Sequence, residues 1–250
     1  MRGGYSPAKK GEKRLIVLKN VVFHYPSSDF TLSIKKLSFQ DNENTAILGT
    51  AGSGKTTLLR LIAGELSPQR GTIRIAGERL TQQNKHVLGR KLGSVWQTPT
   101  RLKGGVLAET AAGAMECGFP PPLAEQLARQ AMGLLHISQL EKRECRSLSL
   151  TERHHVELAR ALAKHPPFLL LDDPAALMDA SVKRGFLPAM QFLPHAVLIT
   201  GSHTDLPLLL CSRAVILKNG EILADGEPHK LLRDLPLLKE AGLELPARFW

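Results

Sequence analysis

Residues Gly49-Thr-Ala-Gly-Ser-Gly-Lys-Thr56 constrain this chain more than any other stretch. A short run, Asn44–Leu48 (NTAIL), leads straight into Gly49, and an apolar, helix-forming run, Thr56–Ala63, follows. Strand, glycine-rich turn and helix in that order match the phosphate-binding spacing GxxxxGK[ST] at every fixed position. The glycines let the backbone curl until several N–H groups converge on one point. A helix beginning near Lys55 turns its positive end to the same point. The Lys55 ammonium is then expected to reach the β- and γ-phosphates of a nucleoside triphosphate, and the Thr56 hydroxyl to hold Mg²⁺. The nucleotide is expected to lie against Gly49, Thr50, Ala51, Gly52, Ser53, Gly54, Lys55, Thr56 and the adjoining Thr57.

The rest of the chain supplies the sheet such a loop requires. Arg14–Phe23 and Phe30–Phe39 alternate as half-buried strands do, and Gly71–Ile75 ends at the turn residue Gly77. Leu92–Trp96 reads as a further short strand, and Phe168–Leu171 and Ala196–Thr200 are short apolar runs of the kind buried on both faces. Ala214–Leu217 and Glu221–Ala224 flank Lys218-Asn219-Gly220, a hairpin signal. From Thr98 to Lys142 the texture becomes helical, with Leu123, Leu127, Ala131, Leu134 and Leu135 as the expected apolar face. Thr151–Lys164 reads as another helix, stopped by Pro166-Pro167. Strands alternating with helices predict an α/β fold. The expected form is a P-loop NTPase core with a mixed, mostly parallel sheet, an N-terminal antiparallel β subdomain and a helical insertion subdomain. The expected division is a basic tail over 1–13, a nucleotide-binding domain over 14–225 with its insertion at about 98–165, and a helical extension over 226–250.

Composition narrows the function classes. At 250 residues and 43% hydrophobic content, the chain can bury a full core. Its net charge of +10 suits nucleic acid, an anionic membrane surface or phosphorylated ligands. Lys and Arg are scattered, however, and the 5% of aromatic residues do not interleave with them as a base-stacking surface requires. Nucleic acid is therefore not an expected partner, while a peripheral position on a membrane fits the charge. Cys117, Cys145 and Cys211 form no CxxC pair, which argues against a disulfide framework or a zinc site. No apolar run is long enough to cross a bilayer, and Met1–Lys13 lacks the apolar core of a secretory signal. The expected location is cytoplasmic, on the inner face of the cell membrane.

A second chemical element lies far along the chain. Phe168-Leu-Leu-Leu-Asp172-Asp173 is a buried strand ending in two acids. Asp172 at the strand tip is expected to bind Mg²⁺, and Asp173 to face the water that attacks the γ-phosphorus.

With these elements in this order, the chain resembles the ATP-binding subunits of ABC transporters over nearly its full length. The resemblance implies ATP and Mg²⁺ as cofactors and ATP hydrolysis as the reaction. It implies that Tyr25, in Val22-Phe-His-Tyr25-Pro, stacks on adenine. It implies that Gln97, in Ser94-Val-Trp-Gln97, senses Mg²⁺ and the attacking water, and that His203, in Thr200-Gly-Ser-His203, contacts the γ-phosphate. Asp179 resembles the aspartate used against a partner subunit. The implied partners are a second ATPase subunit and integral membrane subunits, the latter meeting the chain around Thr98–Glu109. The ending, Ala224-Asp-Gly-Glu-Pro228 and Leu235–Pro246, resembles the cobalt-type or energy-coupling-factor importers of vitamins and metal ions.

Two residues sets depart from the family pattern. The signature LSGGQ is replaced by Leu148-Ser149-Leu150-Thr151-Glu152. In the family this segment closes over ATP held by the other subunit's P-loop. Ser149 retains a hydroxyl to donate, Leu150 and Thr151 add bulk, and Glu152 is expected to bring negative charge towards phosphate. Asp173 stands where the family has glutamate, one methylene longer. A carboxylate about 1 Å short of its water can cost on the order of a hundredfold in rate. These departures imply an asymmetric heterodimer or slow hydrolysis. The alternative is a soluble, weakly active ABC ATPase acting as a regulatory or assembly factor. No heptad run of the kind soluble relatives carry is present.

Overall fold

The computed structural model describes residues 16–41, 43–98, 102–174, 196–201 and 204–246. Two sheets pack around a shared core. Strands β1 (Ile16–His24), β2 (Thr31–Phe39), β4 (Arg70–Ile75) and β5 (Glu78–Arg79) form an antiparallel sheet of order β2-β1-β4-β5. Ile16, Leu18, Val21 and Phe23 of β1 are buried, and the change of phase after Leu18 coincides with a register shift in the β1–β4 ladder.

The second sheet comprises β3 (Thr45–Leu48), β6 (Leu92–Val95), β7 (Phe168–Asp172), β8 (Ala196–Gly201), β9 (Arg213–Lys218) and β10 (Glu221–Gly226). Its order is β10-β9-β3-β8-β7-β6. All neighbours run parallel except the β9–β10 hairpin. The sheet is thus mixed and mostly parallel, and β3 and β7 are buried along their whole length. Arg213 ties the sheets together: its guanidinium donates to Ser38 O at 2.7 Å and pairs with Glu43 and Asp225. At the hairpin tip Asn219 and Gly220 both have positive φ, 48° and 79°, as a primed two-residue turn requires.

Helix α1 (Lys55–Ala63) follows β3, and the short α2 (Lys85–Gly89) precedes β6. Between β6 and β7 lie α3 (Val106–Glu116), α4 (Pro121–Leu134) and α5 (Leu150–Ala163). Helix α6 (Asp205–Leu210) follows β8, and α7 (Pro228–Leu231) and α8 (Leu235–Ala241) follow β10. The expected apolar face of α4 needs correction. Leu123 and Leu134 are exposed, and the buried face is Ala124, Ala128, Ala131 and Met132, with Leu135 just beyond. Ala131 and Leu135 are buried as expected and Leu127 is partly buried against the same core, so the correction falls on Leu123 and Leu134 alone. Ala124 and Ala128 meet Ala111 and Ala114 of α3, so the two helices meet through small side chains that permit close approach.

Helix α5 is buried nearly all round, and carries His154 and His155 inside. His154 is fully buried, and neither ring nitrogen has a hydrogen-bond partner among the described residues. Burial, helped by neighbouring His155, pushes its pKa down from 6.5 to about 4. The unfolded chain takes up this proton as pH falls through 6.5, whereas the folded chain refuses it until about 4. Stability present above pH 6.5 therefore drains away between those values, by on the order of 3 kcal/mol. His154→Leu is expected to flatten this part of the stability profile, and to stabilise the protein at neutral pH by removing two buried, unsatisfied nitrogens. Urea unfolding at pH 7 and pH 5 checks both effects.

Candidate functional site

The carboxyl ends of β3, β8 and β7 lie side by side, with Leu48 opposite Gly201 and Asp172 opposite Thr200. This register brings the turn after β3 and the acids ending β7 to one place, 116 residues apart in sequence. A cleft of about 370 Å³ opens there, lined by Tyr25, Ser28, Phe30, Ala51, Gly52, Gly54, Lys55, Thr56, Thr57, Gln97, Asp172 and Asp173.

The turn is shaped as an anion cradle. Gly52 and Gly54 hold φ of 77° and 106°. Helix α1 starts without a side-chain cap and without an acid in its first turn, so its leading amides and positive end face the cleft unopposed. Lys55 Nζ donates to Gly49 O and Thr50 O, each at 2.8 Å, bridging the loop. An ammonium has three protons, so one more acceptor can be served. Burial lowers the Lys55 pKa, against the opposing pull of Asp173 and Asp172.

Gly49, Thr50 and Ser53 form the back of the loop rather than the wall of the cleft. Ser53 is buried, and its carbonyl accepts the Gly220 amide at 3.0 Å. Gly220 in turn accepts from the Ser33 amide at 2.8 Å. The hairpin tip is thereby wedged between β2 and the loop.

The acids sit on the opposite wall. Thr56 Oγ1 donates towards Asp172, with Oδ2 at 2.9 Å and Oδ1 at 3.0 Å. Thr200, which the sequence reading did not single out, locks both acids. Its hydroxyl donates to Asp172 Oδ1 at 2.7 Å and accepts the Asp173 amide at 3.0 Å. Asp173 holds φ of 49°, a region where Asp is better tolerated than most residues. Thr56, Asp172 and Gln97 share the cleft and offer hydroxyl, carboxylate and amide oxygens, a donor set that fits Mg²⁺.

Tyr25 is fixed at the cleft edge. Its ring meets Phe23 edge-on, with centroids 4.9 Å apart, and its hydroxyl lies 3.2 Å from Thr57 Oγ1. Phe30 provides a second aromatic wall that sequence alone did not reveal. His203 and Asp179 lie outside the described residues.

Ser149 and Glu152 stand at the start of α5, away from this cleft. They form a capping box: Ser149 Oγ accepts the Glu152 amide at 3.2 Å, and Glu152 Oε2 accepts the Ser149 amide at 2.8 Å. Glu152 Oε1 pairs with Arg143 at 2.7 Å. Bonding to Ser149 first, then the Arg143 charge, holds the Glu152 carboxyl below its ordinary pKa. Within this chain the Glu152 charge is therefore met by the Ser149 amide and by Arg143. The carboxylate folds back because the helix end and Arg143 together offer it donors. Leu150, at 60% exposure, is the side chain that projects.

Comparison with known proteins agrees with this construction. The family model for the ABC transporter matches residues 32–176. A Gloeobacter violaceus protein assigned to the ABC transporter ATP-binding proteins is 31% identical over 92% of this chain and 96% of its own length. The energy-coupling factor transporter ATP-binding protein EcfA1 of Enterococcus faecalis is 28% identical over 93% of this chain and 86% of its own. Among solved structures, cbiO1 of Clostridium perfringens, part of the ABC transporter complex cbiONQ, superposes with a TM-score of 0.77 at 23% identity, covering 94% of this chain and 96% of that one. This chain belongs to the ABC transporter family, as one of its ATP-binding proteins.

Proposed function

We propose that this chain binds MgATP in the cleft between the Gly49–Thr56 loop and Asp172, and drives an importer of the energy-coupling-factor type. The observation that carries the reading is the convergence of an uncapped helix start, Lys55 and the Thr56–Asp172 pair on one cleft. Thr56, Asp172 and Gln97 would hold Mg²⁺, which when bound neutralises phosphate charge. Lys55 and the leading amides of α1 take the phosphates, and Tyr25, with Phe30 beside it, receives the base. Asp173 orients water and accepts its proton, with His203 on the γ-phosphate.

We assign 14–225 to the nucleotide-binding domain, and 226–250 to a C-terminal extension. The chain works beside a second, different ATPase subunit and integral membrane subunits, on the inner face of the membrane. The altered signature supports the asymmetry. Its helix start is already capped by Glu152, and Leu150 projects where a glycine would admit phosphate. In a homodimer this defect and the short Asp173 would fall on both sites; in a heterodimer each falls on one.

Purification from native membranes is expected to recover a polytopic membrane protein and a second ATPase with this chain. Recovery of the chain alone would favour a soluble regulatory or assembly factor, to which the same two departures are suited.

A further inference from the structure

The C-terminal segment reaches the nucleotide cradle. Helix α8 ends at Gly242, which adopts φ 68° and ψ 29° and donates its amide to Lys239 O. A Cβ added at Gly242 would lie 2.8 Å from Thr50 Cγ2. Thr50 is the second residue of the loop, and its carbonyl is one of the two that hold Lys55 Nζ. Two residues further on, Glu244 O accepts the Thr204 hydroxyl at 3.2 Å, and Thr204 is buried just before α6. Leu238, Ala241 and Leu243 pack with Ala46 and Leu48 of β3, the strand that launches the loop. One short stretch thus touches the strand before the cradle, the cradle itself and Thr204 at the start of α6.

We infer that Ala241–Glu244 is a positioning element for the ATP site, with Gly242 as the residue through which it acts. The absence of a side chain at Gly242 lets Thr50 seat its methyl against the end of α8. Thr is stiff at χ1, so a larger residue there displaces Thr50 together with its carbonyl. That carbonyl holds Lys55 Nζ, so a shift there moves the ammonium relative to the phosphates. Any contact that shifts α8 will shift ATP affinity by the same route. The inference rests on the reading of the cleft as an ATP site.

The test is a double-mutant cycle on the full chain, read by equilibrium ATP titration with thermal midpoints measured alongside. Gly242→Ala is expected to weaken ATP binding by about fivefold or more when residue 50 is Thr, and by about twofold or less in a Thr50→Ser background, where the methyl is gone. Gly242→Asn, which accepts the left-handed conformation more readily and carries the same Cβ, replaces the Ala variant if that one does not fold. An equal loss in both backgrounds, or no loss in either while the wild type binds ATP, overturns the inference. A wild type that does not bind ATP overturns the functional reading and this inference with it.

Discussion

Lys55→Met is expected to weaken MgATP binding by about a hundredfold. The lysine lines the cleft and donates to Gly49 O and Thr50 O, so it closes the loop and keeps one proton for a further acceptor. A charge-assisted hydrogen bond to phosphate contributes about 2–3 kcal/mol, which is on the order of 30- to 150-fold in affinity. Methionine keeps the length and loses both charge and donors, so the loop's two carbonyls lose their bridge as well. Titration with a fluorescent ATP analogue reads the effect directly. A change of less than about threefold would mean that this ammonium does not reach the phosphates.

Asp173→Glu is expected to raise turnover by on the order of a hundredfold when the chain is paired with its co-purified partner. The Asp173 amide is fixed on Thr200 Oγ1, and its backbone sits at φ 49°. With the backbone held, side-chain length alone sets where the carboxylate ends. One more methylene carries it towards the water. Glutamate is less at ease than aspartate in this conformation, a cost of about 1 kcal/mol that falls on folding stability and is carried equally in the ground and transition states. Steady-state phosphate release checks this. Unchanged or slower turnover would mean that Asp173 is not limited by its reach.

Much of the site was legible because its parts are local. The Gly49–Thr56 loop carries strand, turn and helix within one continuous stretch, and Asp172-Asp173 end an uninterrupted apolar run. Thr200 and Phe30 were not legible, because what places them is strand register and packing across the sheets. A hydroxyl at the end of β8 means nothing until β8 is known to lie between β3 and β7. Leu123 and Leu134 of α4 were misread for a related reason. Leucines signal burial only while helices stand a leucine's length apart, and here Ala111, Ala114, Ala124 and Ala128 set a closer contact. Glu152 shows a third limit. Its identity announced a charge, but its direction was decided by Arg143 and the Ser149 amide, which only the folded helix start brings to it.

The proposed cradle binds ATP well and, in this chain alone, turns it over slowly. ATP affinity and turnover, measured on one preparation of the purified wild-type chain, decide this. The expected result is saturable, Mg²⁺-dependent binding in the micromolar range with turnover of about 0.1 s⁻¹ or slower, below the ordinary enzyme range of roughly 1–10³ s⁻¹. Absence of saturable binding, or brisk hydrolysis by this chain without a partner, would contradict it.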